Sequence, residues 1–328
     1  FAAAFFPSQG QNVVFSLYLL GIGLAVVTGW VFRRSFFRDE LSSSIMEMPA
    51  YHMPNMRNVL FNTWHRLMGF CTKAGKTIVV VVVALSFLNS WGTDGSFGNQ
   101  DKQNSVLSEI GRVATPLLAP FGVERDNWPA TVGVVTGIFA KEAVVGTLDA
   151  LYADVSGVNH ADSGALSLGA ETKAAFMSII DNSKELASSL TNPLGIMIVE
   201  YGQVEEAAEE QGVRLETFVT MNTLFAGSFA AYCYLVFILL YTPCVAVIGA
   251  LVREAGQRWA WMIAGWSTVL AYATATILYQ LGTFFQHPLS SLGWIIAMTG
   301  VLSLSVLLMK QFAHRHSQLK NLIPVTQV

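Results

Sequence analysis

Lys141 and Glu142 stand side by side inside an otherwise apolar stretch, 131–148. A charge at membrane depth costs about 3 kcal/mol or more unless it is paired or watered, so such residues mark ion pathways or lock helices together. Adjacent residues point about 100° apart on a helix, so the two are poorly placed to pair with each other. Glu142, Gly146 and Asp149 share one helical face. Gly133, Gly137 and Lys141 fall near another, and the Gly133-x-x-x-Gly137 spacing permits close helix packing. This pattern favours a pathway role for Glu142 and a locking role for Lys141. A purely structural lock made by both is the alternative. The second chemical element is Tyr241-Thr-Pro-Cys. Pro243 denies a helical hydrogen bond to the Leu239 carbonyl. Cys244 then sets a soft thiol beside that hard oxygen. A thiol ligand favours iron or copper over magnesium. The alternative for Cys244 is an inert small hydrophobe, which is how Cys71 and Cys233 are read.

Other residues offer less. Gly69–Thr77 reads G-F-C-T-K-A-G-K-T, with five residues before Gly-Lys-Thr where a phosphate loop has four. It also continues a helical pattern where a strand and a loop are required. No nucleotide site is expected in this chain. His287, before Pro288, is read as an interface residue, and His314 and His316 are a weak metal pair.

The elements that must position these residues follow from composition. The 328 residues are 53% hydrophobic and 12% charged, with a mean hydropathy of +0.48. A soluble domain is about 25% charged. Net charge −3 leaves no basic footprint for nucleic acid, and three cysteines without a C-x-x-C pair give neither a disulfide framework nor a cysteine zinc site. The chain reads as an all-α polytopic membrane protein. Phe1, with no methionine or basic region before the first apolar run, reads as the start of a fragment.

Five stretches have the length and apolarity of spanning helices: 13–32, 77–91, 221–252, 259–285 and 289–309. Pro243 is expected to bend or break the third. Between the first two, 52–76 puts Leu60, Phe61, Trp64, Leu67, Met68 and Cys71 on one face. His65, Arg66, Lys73 and Lys76 lie on the other, the signature of an interfacial amphipathic helix. Residues 154–216 form a polar insertion with eleven of the 22 carboxylates, read as a solvated acidic cap with cation capture as the alternative. Four regions result: 1–47, a first span and basic loop; 48–152, the interfacial helix, second span and hairpin; 153–220, the insertion; and 221–328, the last spans and a basic tail.

Basic residues place three connections in the cytoplasm. They are Arg33, Arg34, Arg38, Arg57 and Arg66, then Arg253 and Arg258, then Lys310, Arg315 and Lys320. These assignments agree only if 106–152 enters and leaves the membrane on one side. The expectation is a re-entrant hairpin with arms 106–118 and 131–152, turning at Pro116, Pro120, Gly122 and Pro129. Such backbone is tolerated only where it lines a cavity or is buried in protein. A broken 221–252 stretch would also repair the parity.

Several motifs together resemble the C-terminal membrane half of FeoB, the bacterial ferrous iron transport protein B family. They are Met48-Pro-Ala-Tyr-His with Ala74-Gly-Lys, Leu85-Ser-Phe-Leu-Asn-Ser and Asp126-Asn-Trp-Pro-Ala-Thr-Val-Gly. They continue with Thr136-Gly-Ile-Phe-Ala-Lys-Glu-Ala-Val-Val-Gly-Thr-Leu, Tyr241-Thr-Pro-Cys and Tyr279-Gln…Gln286-His-Pro. The resemblance implies an inner-membrane importer whose cargo is Fe²⁺. It implies the second of two gate repeats, with Cys244 and Glu142 as candidate Fe²⁺ ligands and Lys141, Asp149 and Pro243 as support. It implies an N-terminal G-domain using GTP and Mg²⁺ elsewhere in the full protein, so no enzymatic activity is expected of this chain. Implied partners are that G-domain, the small cytosolic Feo-system proteins A and C, membrane lipid and further copies of the chain. Two alternatives stand beside it: an ion-coupled nucleoside permease and a passive membrane anchor for a signalling G-domain.

Overall fold

The computed structural model describes residues 2–6, 9–35, 55–100, 102–139, 143–156, 177, 215–242 and 244–321. Lys141, Glu142 and Pro243, the acidic insertion between 157 and 214 (Met177 apart), and the loop 36–54 lie outside the described residues.

The described chain is helical. A short α1 (Ala2–Phe5) leads into α2 (Gly10–Ser35). After it come α3 (Met56–Ser90), α4 (Val106–Ala114), α5 (Trp128–Phe139) and α6 (Ala143–Val155). The last five are α7 (Leu215–Leu224), α8 (Ser228–Leu240), α9 (Val245–Ala255), α10 (Gln257–Gly282) and α11 (Pro288–Asn321). Among the described residues, three helices are long and apolar enough to cross a membrane: Gly10–Arg34, Gln257–Gly282 and Pro288–Gln311. They coincide with the first, fourth and fifth expected spans.

The other two expected spans take different forms. α3 runs unbroken for 35 residues, about 52 Å at 1.5 Å per residue. The separate interfacial helix and second span expected from sequence are therefore one rod. Nothing between Met56 and Ser90 breaks it, because neither proline nor a capping sequence occurs there. Gly69–Thr77 is helical backbone within this rod, which removes the loop that phosphate binding requires.

The third apolar stretch is divided. α8 closes at Tyr241, whose N–H bonds the Phe237 carbonyl at 2.9 Å. α9 opens at Cys244, whose carbonyl accepts the Ile248 N–H at 3.0 Å. Both halves pack along α10. Phe229 stacks on Tyr279 and Phe237 meets Tyr272 edge-on, so α8 runs antiparallel to α10. α9 turns straight into α10 at Gly256, whose φ of 88° suits glycine. The two short helices thus lie one after the other on the face of one long helix.

The expected second hairpin arm, 131–152, is not one arm. A Cβ on Gly133 would stand 2.8 Å from the Leu148 side chain, and one on Gly137 would stand 2.6 Å from Val144. Residues 133 and 148 would be about 22 Å apart on a continuous helix. α5 and α6 are therefore antiparallel neighbours, with their fold between Phe139 and Ala143. α4 packs beside α5, joined by a buried Thr115–Thr131 hydroxyl bond of 2.9 Å.

The core lies where α5, α6, α8 and α10 meet. Phe121, Ala130, Leu148, Tyr152, Ala231, Tyr234, Ala271 and Ala275 are at most 2% exposed. Small residues let the helix backbones approach, and the aromatics fill the gaps between them.

Candidate ion-path site at the two helix interruptions

Two tyrosines on α8 hold α5 in register. The Tyr234 hydroxyl donates to the Ala130 carbonyl at 2.7 Å, and Tyr241 reaches the Val134 carbonyl at 3.4 Å. Later residues on α8 meet later residues on α5, so the two helices run parallel. The Tyr241 ring ends against Gly137, where any side chain would collide with its hydroxyl. The last turn of α5 and the 241–244 break are consequently at one level.

This arrangement places the flanks of both sequence motifs together. Tyr241 and Val144 both close on Gly137, and the connection carrying Lys141 and Glu142 leaves the described chain within three residues of Gly137 and Val144. Cys244 is half-buried with a free thiol. Cys233 is 0% exposed in the middle of α8, the packing position expected for it. Asp149 lies farther along α6, and its Oδ1 accepts a 2.7 Å bond from Thr217 of α7. It ties α6 to α7. Gly146, on the same face, has open space beside it. Among the described residues no three His, Cys, Asp or Glu side chains converge to hold a metal.

A cavity of about 180 Å³ opens beside these interruptions. Phe139 at the end of α5 and Val245 next to Cys244 both line it, as do Ser86, Asn89, Thr136 and Thr147 among apolar side chains. These four polar residues carried no role in the sequence reading. One signal pointed to two of them: Ser86 and Asn89 are one turn apart on the apolar end of α3, whereas Thr136 and Thr147 come to one cavity only through the α5–α6 fold. A helix end leaves N–H and C=O groups without helical partners, and in a membrane these must meet protein or water. Two interruptions at one level beside a cavity that carries four polar side chains among apolar ones meet that requirement.

Comparisons with known proteins agree with this architecture. The family described as Gate, nucleoside recognition, matches residues 71–258. The family described as ferrous iron transport protein B C terminus matches 14–66. The Fe(2+) transporter FeoB of Legionella pneumophila is 44% identical over 301 residues, covering 91% of this chain and 39% of the relative. That of Salmonella typhimurium is 40% identical, covering 91% and 38%. The chain thus spans about two fifths of the curated relatives it matches. No solved structure matches. The α5–α6 fold and the α8–α9 break both fall inside the Gate match: the chain belongs to the Gate family and corresponds to the C-terminal membrane half of the FeoB transporters.

Proposed function

We propose that this chain supplies part of the Fe²⁺ path through the inner membrane in a ferrous iron importer. The observation that carries the proposal is the meeting of two interrupted helices at Tyr241, one bearing Cys244 and the other leading to Glu142. α8 has 13 residues and α5 has 12, so each extends about 18–20 Å before its interruption. That depth lies inside a hydrocarbon core of about 30 Å. Discontinuous helices at such depth are where transporters place ion sites. Relatives named as Fe²⁺ transporters favour this reading over a nucleoside permease.

In the proposed topology α2, α3, the broken α8–α9 pair, α10 and α11 cross the membrane, and α5–α6 is re-entrant. The 36–54 loop, Arg253–Arg258 and the C-terminus then face the cytoplasm, while the acidic insertion and 283–288 face the periplasm. This satisfies the positive-inside bias at each basic connection. An N-terminal G-domain with GTP and Mg²⁺ drives or gates passage, and Feo-system proteins A and C with further copies of the chain are the expected partners. The chain itself performs no chemistry on a substrate. Cys244 and Glu142 contact the ion, Pro243 keeps the break open, and Lys141 and Asp149 hold the helices.

The test is Fe²⁺ uptake by the full-length transporter. Cys244→Ser is expected to lose most uptake with membrane insertion intact. Glu142→Gln should be stable but inactive, whereas Lys141→Met should be unstable, because stranding a buried partner charge costs about 3–5 kcal/mol. Wild-type uptake in Cys244→Ser would return that thiol to packing. Equal destabilisation at Lys141 and Glu142, with rescue in the double variant, would make the acid scaffold.

A further inference from the structure

Cys244 sits on the short bridge between two helices. α8 closes with the Tyr241 N–H on the Phe237 carbonyl, and α9 opens with the Cys244 carbonyl on the Ile248 N–H. The three residue steps from Tyr241 to Cys244 reach at most about 11 Å. A metal-binding group has to be held within about 0.5 Å of its working position, and irregular backbone does this less well than a helix. A thiol at this place needs support from a residue that is itself fixed.

Tyr241 is fixed from several directions. It is 3% exposed, its ring lies 5.4 Å from that of Phe237, and Phe237 lies 5.0 Å from Phe121. The 3.4 Å contact of its hydroxyl with the Val134 carbonyl is long and weak as a hydrogen bond. The stronger constraint is steric. The hydroxyl oxygen occupies the place where a side chain of residue 137 would begin, and Cζ behind it is 3.7 Å from that place. The phenol is thus a key in the notch that Gly137 leaves open. Pairing of α8 with α5 does not depend on this fit, because Tyr234 already holds the Ala130 carbonyl at 2.7 Å. We infer that Tyr241 is a positioning residue for Cys244: its hydroxyl, seated at Gly137, sets the thiol against the α5–α6 fold. This rests on the ion-path reading above and adds the link by which one interruption fixes the other.

The notch contains two collisions that can be separated. Gly137→Ala sets a methyl against the Tyr241 hydroxyl and also 2.6 Å from Val144 of α6. In Gly137→Ala/Tyr241→Phe the first collision is gone, because 3.7 Å to Cζ is an ordinary carbon contact. The second remains. A response of the thiol that passes through the Tyr241 hydroxyl therefore disappears in the double variant. A response to general strain between α5 and α6 persists.

The experiment measures how fast N-ethylmaleimide alkylates Cys244 in the full-length transporter in membranes. Mass spectrometry of the peptide carrying Cys244 gives the rate, with Cys233, 0% exposed, as internal reference. Gly137→Ala should speed alkylation about fivefold, within the range of couplings between residues in contact. Added to Tyr241→Phe, the same substitution should change the rate by less than about twofold, the scatter of independent sites. The half-saturating Fe²⁺ concentration for uptake should follow the same cycle, raised by Gly137→Ala and restored in the double variant. If Gly137→Ala does not insert in the membrane, Tyr241→Leu, which removes the hydroxyl and the ring edge, decides by the same about fivefold rise. An equal rise with and without the Tyr241 hydroxyl overturns the positioning role, as does an unchanged rate in Gly137→Ala or, in its place, Tyr241→Leu. Either result leaves the ion-path reading standing if Cys244→Ser is inactive. Wild-type transport by Cys244→Ser removes the reading on which the role rests.

Discussion

Cys233 and Cys244 are eleven residues apart on one apolar stretch, and the protein treats them in opposite ways. Cys233 sits on a continuous helix with Ala230, Ala231, Tyr234, Val236 and Phe237 buried around it. Its thiol meets side chains on every side. Cys244 sits where the helix has stopped and the next has begun, half-buried and next to a residue that lines a cavity. Hydropathy does not separate the two positions. What separates them is whether backbone hydrogen bonding is interrupted, because only an interruption brings polar groups and space to a thiol at membrane depth.

The largest expected effect that tests this contrast is on transport. Cys244→Ala should abolish most Fe²⁺ uptake, while Cys233→Ala should leave it within about twofold, a difference of roughly 0.4 kcal/mol. Equal losses at both would mean that burial governs the pair. The next effect is on the packing that keeps the interruption in place. Gly137→Ala drives a methyl against the Tyr241 hydroxyl and Val144, and overpacking of this kind costs about 1–3 kcal/mol. Gly146→Ala, with nothing within 4 Å, should gain about 0.4–1 kcal/mol from a stiffer unfolded chain. Melting temperatures in detergent should therefore move in opposite directions.

A smaller loss is expected from Tyr234→Phe. It leaves the Ala130 carbonyl without its 2.7 Å hydrogen bond, at about 1 kcal/mol. Tyr241→Phe should cost less, since its bond is 3.4 Å long and hydrogen bonds weaken at that length. The smallest effect lies in the loop after α3. Bonds from the Ser96 hydroxyl and N–H hold the Asp94 carboxyl below its ordinary range. A depressed carboxylate contributes order that is complete above its unfolded value of about 3.9 and fades as pH falls through the folded one. Fluorescence of Trp91 in this loop should be flat from about pH 8 to 5 and change only in stronger acid. In Asp94→Asn that acid step should vanish.

Much of this arrangement can be read from residue order. Spans α2, α10 and α11 follow from uninterrupted apolar length, and the break before Cys244 from Pro243, because proline removes a helical donor wherever it sits. The close approach at Gly133 and Gly137 follows from their spacing. The α5–α6 fold does not, since 131–148 carries no glycine or proline between Phe139 and Ala143, and Lys141 and Glu142 there are equally compatible with a continuous helix. A helix buried all round gives no periodic signal to mark where it reverses. The union of the interfacial segment with α3 is hidden for a related reason. An amphipathic pattern reports which face meets water or lipid, and it is silent on whether the next segment continues the same axis. The polar side chains at the cavity were visible as residues and became a group only when three helices brought them together.

Gly256 gives the broken span a mechanical character. One residue joins α9 to α10, and the two helices pack against each other, so they form a stiff lever. α8 is fastened elsewhere, to α5 by Tyr234 and to α2 by a 3.0 Å contact between Tyr232 and Ser16. Between these two anchorages helical hydrogen bonding is interrupted, after Tyr241 and before Cys244. α10 in turn touches α2 near its basic end, where Trp266 reaches the Thr28 hydroxyl at 3.4 Å and packs on Phe32. A displacement applied at Arg33 and Arg34 thus has a short helical route through α10 and α9 to the helix start that carries the thiol.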